Sequence, residues 1–256
     1  GNFSTEYLPA IAIEKVMNDT DPAKIAVREV ALKTLDEKMR ADAATKLKYA
    51  SKYASVANYW KKWIGEVEGL KKSDAVGKKL KYEQMLSAKN PAMKATLVEL
   101  NRLYEAQAPY SLNNAYYGEV TRNAETLRLA NYYINFVEAK EANKMSPDLQ
   151  KRYVETLSNF YKDFEGDLDA KVTAKVLALY QQKNNAAFLP ANFSQYADAN
   201  KNLSTFENLS KNSIISGRGN LNGKTAYTDL NGILNDPNFI TEIKKDPFYI
   251  LANDMK

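Results

Sequence analysis

The sequence predicts an all-α fold, a multi-helix and bundle-like domain. Apolar residues recur at intervals of three and four over the first 184 residues, and nothing there alternates like a strand. Side chains that cap helices stand repeatedly before Pro. Only 10 Gly and 8 Pro occur among 256 residues, few for the tight turns of an all-β protein. With 45% hydrophobic and 26% charged residues, the chain can bury a sizeable core.

Helix starts can be located because Pro lacks an N–H and has a fixed φ that suits the first helical position. Five Pro residues follow a residue able to cap a helix: Asp21-Pro22, Asn90-Pro91, Ser146-Pro147, Asp236-Pro237 and Asp246-Pro247. With the apolar periodicity, these signals predict eight long helices at about residues 5–18, 22–40, 43–64, 74–89, 91–107, 111–143, 146–165 and 167–184. The second helix, for example, carries Ile25, Leu32, Leu35 and Met39 on one face.

The last quarter of the chain has a different character, rich in Asn and Ser with shorter apolar runs. Short helices are expected around residues 204–211 and 225–234 and from Asp246, with a loop at 216–223. We therefore predict one helical domain over residues 1–256. It consists of a long-helix bundle over about 5–184 and of short helices and loops over about 185–256.

The composition excludes several catalytic sites, because the chain contains no His and no Cys. It cannot build a Ser–His–Asp triad, a Cys–His pair or an ordinary zinc site. We predict no catalytic residues, no metal and no cofactor in this chain, although carboxylate-dependent chemistry stays open. The acidic residues around Gly166 are expected to form a helix cap and a solvated turn: Asp163, Glu165, Asp167 and Asp169.

The charge pattern bears on partners. The net charge is +5, and the one basic stretch, residues 61–81, has seven Lys and no Arg. We interpret it as a solvated helix face and expect no nucleic-acid partner. No apolar run approaches the ~18 residues of a membrane span. The chain opens at Gly1 without a signal peptide, which leads us to expect a piece of a larger protein.

The third predicted helix carries the most informative pattern. One aromatic stripe runs along Tyr49, Tyr53, Val56, Trp60 and Trp63, and a second apolar stripe runs along Leu47, Ala50, Ala54, Ala57 and Ile64. Two stripes predict a helix buried on much of its circumference. Ser51, Ser55, Asn58 and Lys62 share a narrow third face. Such small polar side chains either satisfy neighbouring backbone groups or line a wet cleft, and the spacing leaves both open.

The run from Lys48 to Gly65, KYASKYASVANYWKKWIG, resembles a segment of the bacterial serine dipeptidyl-peptidases seven and eleven. The Ile25–Met39 helix, Asn90-Pro91 and Ala108-Pro109-Tyr110 are also similar. In that family a chymotrypsin-like double β-barrel is interrupted by a helical insertion that covers the active site. The catalytic His and Asp precede the insertion and the Ser follows it. The resemblance thus implies a helical cap of a periplasmic or secreted peptidase, whose own enzymatic status stays open.

The resemblance also implies partners and a site. The partners are peptides with a free N-terminus and the catalytic β-barrel of the same parent chain. In the family, an Asn of the Asn-Tyr-Trp segment contacts the substrate's α-amine, and it corresponds to Asn58. We therefore expect a substrate-binding site that contains Asn58, Ser55, Tyr59 and Trp60.

Two further functions stay open from the residues alone. A helical module could bind carbohydrate or protein through the Tyr/Trp stripe. An independent enzyme could use paired carboxylates, because their spacing is spatial rather than sequential.

Overall fold

A computed structural model describes residues 7–191, 193 and 209–255, and in this part of the chain the all-α prediction is confirmed. The one extended pairing within these residues is an isolated bridge between Leu221 and Lys224. The helices are α1 Ala10–Lys15, α2 Asp21–Ala41, α3 Ala43–Lys72, α4 Ala75–Lys89, α5 Pro91–Asn123, α6 Glu125–Glu141, α7 Pro147–Lys162, α8 Gly166–Lys183, α9 Leu230–Leu234, α10 Phe239–Ile243 and α11 Pro247–Asp254.

The first two predicted helices form one continuous helical segment, so the predicted cap at Asp21 is wrong. A π turn, Val16–Thr20, joins α1 to α2, and the Asp21 N–H donates to the carbonyl of Val16, five residues earlier. In a π turn, the backbone N–H bonds to the carbonyl five residues earlier instead of four. Because of this shift, the helix continues past Pro22 although Pro22 has no N–H. The Asp21 carboxylate is buried and pairs with Lys24 at 3.0 Å.

Three other caps are confirmed. The side chains of Asn90, Ser146 and Asp246 each accept a hydrogen bond from a backbone N–H in the first turn of the helix that follows. Asp236 does not cap a helix that starts at Pro237, because α10 starts at Phe239. Its carboxylate instead accepts from the N–H of Asn238 in the turn before α10, at 2.8 Å. Three of the five helix starts predicted from a capping residue before Pro therefore lie where the local sequence indicates.

The predicted break at residues 107–111 is wrong, because α5 runs through Pro109 and ends at Asn123. The break lies at Ala124, whose backbone is extended. Asp169 on α8 supplies the reason. Its carboxylate accepts from the N–H groups of Glu125 and Thr126, at 2.7 and 2.9 Å, and so caps α6 from another helix. α3 also continues to Lys72, beyond the predicted end at 64.

The hydrophobic core joins α2, the second half of α5, α6, α7, α8 and the three C-terminal helices. Its largest fully buried side chains include Tyr133, Phe136, Tyr180, Phe239 and Phe248. α4 and the first half of α5 contribute no buried side chain and lie at the edge of the core. None of the helices in the described residues is both long and apolar enough to cross a membrane.

The C-terminal part follows the prediction in outline. Residues 216–223 form a loop, with Gly217 and Gly223 at φ +75° and +79°. Of the helix expected around 225–234, only Leu230–Leu234 is helical. Most of the helix expected around 204–211 lies outside the described residues.

Candidate functional site

The aromatic stripe of α3 faces the protein interior. Asp42 caps the start of α3, because its carboxylate accepts from the amide of Ala44 at 3.1 Å and from the hydroxyl of Thr45 at 2.6 Å. The Thr45 hydroxyl, followed by that amide, lowers the pKa of Asp42. From there α3 packs chiefly against α2, with Tyr49 and Trp63 buried in the contact.

The prediction that α3 is buried on much of its circumference is wrong. Leu47 is 83% exposed, Ala50 and Ala54 are exposed, and only Ala57 of the second stripe is buried. α3 packs along one side, and the described residues leave its other side uncovered. Small Ala side chains fit either a buried or a solvated helix face, so spacing alone could not decide.

The third face of α3 is exposed to solvent along its length. Ser51, Ser55, Asn58 and Lys62 are all exposed, and we call these four residues the polar ridge. Their spacings of four, three and four keep them in line on the helix. The polar ridge therefore presents hydroxyl, amide and ammonium groups rather than satisfying the backbone of a packed neighbour.

Some helical Asn side chains bond to their own helix, whereas others, among them Asn58, Asn114 and Asn135, bond to no described residue. The amides of Asn101, Asn123 and Asn131 each donate to the carbonyl four residues earlier, at 2.8, 2.7 and 3.2 Å. No described residue hydrogen-bonds to the Asn58 side chain. Both its amide oxygen and its amide nitrogen are therefore available to a ligand.

The other predicted site residues separate into two groups. Ser55 lies one turn before Asn58 on the polar ridge. Tyr59 is 50% exposed beside it, with its ring centroid 5.8 Å from that of Trp63. Trp60 is half-buried, and its indole nitrogen is buried without a partner among the described residues. Two residues turn a helix by about 200°, so Trp60 points to the side of α3 opposite Asn58.

This arrangement does not favour the alternative of a binding module that uses the Tyr/Trp stripe. Tyr49 and Trp63 are buried, and Tyr53, Val56 and Trp60 are half-buried. The stripe packs inward against the domain, so it does not offer the open aromatic platform that such binding requires.

A half-open cavity of about 350 Å³ lies beside the polar ridge, between α2, α3, the end of α5, α6 and α8. Ser55 and Tyr59 line it, whereas Asn58 and Trp60 do not. Its remaining walls combine apolar side chains with charged ones, among them Arg28, Lys52, Glu125, Arg128 and Asp169. The described residues contain no group of three or more acidic side chains placed to hold a metal ion.

Arg28, which lines this cavity, belongs to a buried ion pair that sequence reasoning missed. Arg28 of α2 is 3% exposed and donates through Nε and Nη2 to the two carboxylate oxygens of Glu119, at 2.6 and 3.2 Å. A signal existed, because Arg28 interrupts the apolar stripe between Ile25 and Leu32. A charged residue within an apolar stripe is expected to be buried, and a buried charge is costly unless a buried partner pairs with it.

Glu125, which also lines the cavity, accepts hydrogen bonds from a second set of donors. Its carboxylate accepts from the hydroxyl of Tyr49 at 3.2 Å, from Lys52 at 3.3 Å and from Arg128 at 3.0 Å. Burial, and then the charge of Glu125, raise the pKa of the Tyr49 phenol, which therefore stays protonated and donates. These bonds tie α3 to the start of α6.

The prediction of a solvated acidic turn is wrong for Asp169. It is buried, and besides capping α6 it accepts from the hydroxyls of Thr126 and Thr173. Burial and the neighbouring Glu125 carboxylate raise the pKa of Asp169 to about 6, against the effect of its hydrogen bonds. Asp163 and Asp167 are exposed as predicted.

Comparison with known proteins identifies the family. The model of the family Peptidase S46 matches residues 4–252. The chain belongs to the peptidase S46 family. It is 40% identical over 194 residues to the Asp/Glu-specific dipeptidyl-peptidase of Flavobacterium psychrophilum, covering 72% of this chain and 27% of the relative. It is 31% identical over 199 residues to dipeptidyl-peptidase 7 of Porphyromonas gingivalis, covering 75% and 27%.

The fold also matches solved structures. The crystal structure of Porphyromonas endodontalis DPP11 aligns with a TM-score of 0.75 at 16% identity, over 98% of this chain and 36% of that one. A second structure of the same protein contains the dipeptide Arg-Glu. This S46 chain therefore has the fold of one part of a longer peptidase, and it spans 27% of the length of the curated relatives above.

Proposed function

We propose that this chain is the substrate-covering helical domain of a serine dipeptidyl-peptidase that removes dipeptides from peptide N-termini. Its polar ridge contributes recognition of the free α-amine. The observation that carries this proposal is the Asn58 amide, which is exposed and has no hydrogen-bond partner among the described residues. Membership of the S46 family, with relatives named dipeptidyl-peptidases, supports the reaction class.

An amide oxygen is well suited to hold a substrate ammonium. It accepts a charge-assisted hydrogen bond, and it does so without placing a second charged group in a cleft that closes over substrate. Ser55, one turn earlier, offers a hydroxyl that can accept a second ammonium N–H, and the half-exposed Tyr59 lies beside it. Trp60 is left out of the proposed contact because it points away from Asn58.

The reaction itself depends on groups outside this chain. A sequence without His holds no Ser–His–Asp triad, so the nucleophile, base and oxyanion hole belong to the catalytic β-barrel of the parent. The substrates are peptides with a free N-terminus, and we place the parent in the periplasm or outside the cell, by similarity to its bacterial relatives. Fractionation of cells that express the parent tests the location.

The amine contact is tested by the Asn58→Ala change in the full-length peptidase. Losing one charge-assisted hydrogen bond costs about 1.5–3 kcal/mol, so kcat/KM for free-amine substrates should fall roughly 10- to 100-fold. Discrimination against N-acetylated peptides should weaken as well. The melting temperature should hardly change, since Ala favours a helix more than Asn does.

Asn101→Ala is the matched control, because Asn101 is an exposed helical Asn whose amide bonds to its own helix. It should leave kcat/KM unchanged. If Asn58→Ala also leaves kcat/KM unchanged and lowers the melting temperature, Asn58 has a structural role and the proposal fails.

A further inference from the structure

One buried side chain reaches the α3 turn that carries the proposed amine contact. Besides its two bonds to Glu119, Arg28 donates through Nη1 to the carbonyl of Val56, at 3.1 Å. Val56 lies two residues before Asn58. The same guanidinium thus connects α2, α3 and α5 through three hydrogen bonds.

The guanidinium also lies over two aromatic rings of the same stretch of α3. The central carbon of Arg28 lies 5.2 Å from the ring centroid of Tyr59 and 4.7 Å from that of Trp63. Cation–π contacts at these distances orient the rings as well as attract them. The hydrogen bond to Val56 and the cation–π contacts together therefore fix the axial position and the rotation of α3 between residues 56 and 63.

We infer that Arg28 is a positioning residue, which sets where the amide of Asn58 and the ring of Tyr59 stand toward the substrate. This inference rests on the proposed function. A buried ion pair adds little net stability over an apolar pair of the same shape, because desolvation offsets the attraction. The ion pair has a larger effect on geometry, because the planar guanidinium of Arg donates its hydrogen bonds in fixed directions. Lys offers one flexible ammonium and cannot make all three bonds while it lies over two rings.

The enzymatic test is a double-mutant cycle in the full-length peptidase, with Arg28→Lys, Asn58→Ala and both together. Misplacing the amide should lower kcat/KM for free-amine substrates roughly 5- to 20-fold in Arg28→Lys, with little change on N-acetylated ones. The double variant should be slower than Asn58→Ala by much less than the Arg28→Lys factor, because Arg28 acts mainly through Asn58 and only in smaller part through Tyr59. Losses that multiply, or that are equal on both substrates, would overturn the inference.

A spectroscopic test separates this inference from the proposed function. Both Trp residues of the chain, Trp60 and Trp63, lie on the turn that Arg28 holds. Arg28→Lys should therefore shift Trp emission to longer wavelength. Ile243→Val, a core change in α10, should lower the melting temperature without that shift. Arg40→Lys, in the solvent-exposed pair with Asp36, should change neither.

The outcomes are distinguishable. If Asn58→Ala leaves kinetics unchanged, the proposed function fails, whereas the emission shift still reports whether Arg28 positions α3. If Asn58→Ala slows the enzyme but Arg28→Lys changes neither kinetics nor emission, Arg28 is only a stabilising ion pair. Should Arg28→Lys fail to fold, Glu119→Gln loosens the hold on the guanidinium and should give the same pattern in weaker form.

Discussion

Asp169 makes the stability of this domain depend on pH in an unusual direction. A buried carboxylate with several donors commonly has a lowered pKa, but here burial and the Glu125 charge raise the pKa of Asp169 to about 6 from an ordinary value of 3.8. The folded state therefore binds the Asp169 proton more tightly than the unfolded state does. The stability from this group is fully present below about pH 4 and is lost as the pH rises through about 6.

The magnitude follows from the two pKa values. A difference between 3.8 and about 6 corresponds to about 3 kcal/mol of free energy of unfolding. The Asp169→Asn variant lacks the titrating group. Between about pH 4 and pH 7, the wild-type chain should therefore lose most of this, about 2–2.5 kcal/mol, relative to the variant.

Urea denaturation followed by circular dichroism, for both proteins across that pH range, measures this difference. Asp42→Asn is the control, because the pKa of Asp42 is lowered and its contribution is lost only as the pH falls below 3.8. Its difference from wild type should stay level between about pH 4 and pH 7. A wild-type chain that gains stability over Asp169→Asn as the pH rises would show that the hydrogen bonds outweigh burial, and would refute the reasoning.

Two further predictions concern the chain by itself. The purified chain should hydrolyse no dipeptidyl chromogenic substrate, because it lacks His and Cys. Turnover that survives repurification and resists serine-directed inhibitors would reveal a carboxylate mechanism. Pro109→Ala should stabilise the chain by about 1–3 kcal/mol in urea denaturation, because Pro109 is exposed inside α5 and Ala restores a helical N–H. A loss of stability would mean that α5 is adapted to the Pro ring.

The parts of the fold that depend on local sequence could be predicted. Apolar spacing located the long helices and the inward face of α3, and the caps at Asn90, Ser146 and Asp246 fixed helix starts, because both are interactions within one or two turns. The exposed position of Asn58 follows from the same spacing once one face of α3 is known to be buried.

Several of the errors share a physical cause, since they depend on a partner distant in sequence. The α5–α6 break is set by Asp169 on α8, and without it Pro109 is the better candidate for a break. The second apolar stripe is exposed because the described residues cover only one side of α3. The Arg28–Glu119 pair required knowing that α2 and α5 are neighbours. A charge inside an apolar stripe signals a partner but does not name it.

The central claim, that Asn58 holds the substrate amine, is tested most directly by a crystal structure of the full-length peptidase with a bound dipeptide. We expect the Asn58 amide oxygen about 2.7–3.2 Å from the dipeptide's ammonium nitrogen, with α3 facing the catalytic cleft. A well-ordered dipeptide whose ammonium is held elsewhere, with Asn58 in solvent, would contradict the account.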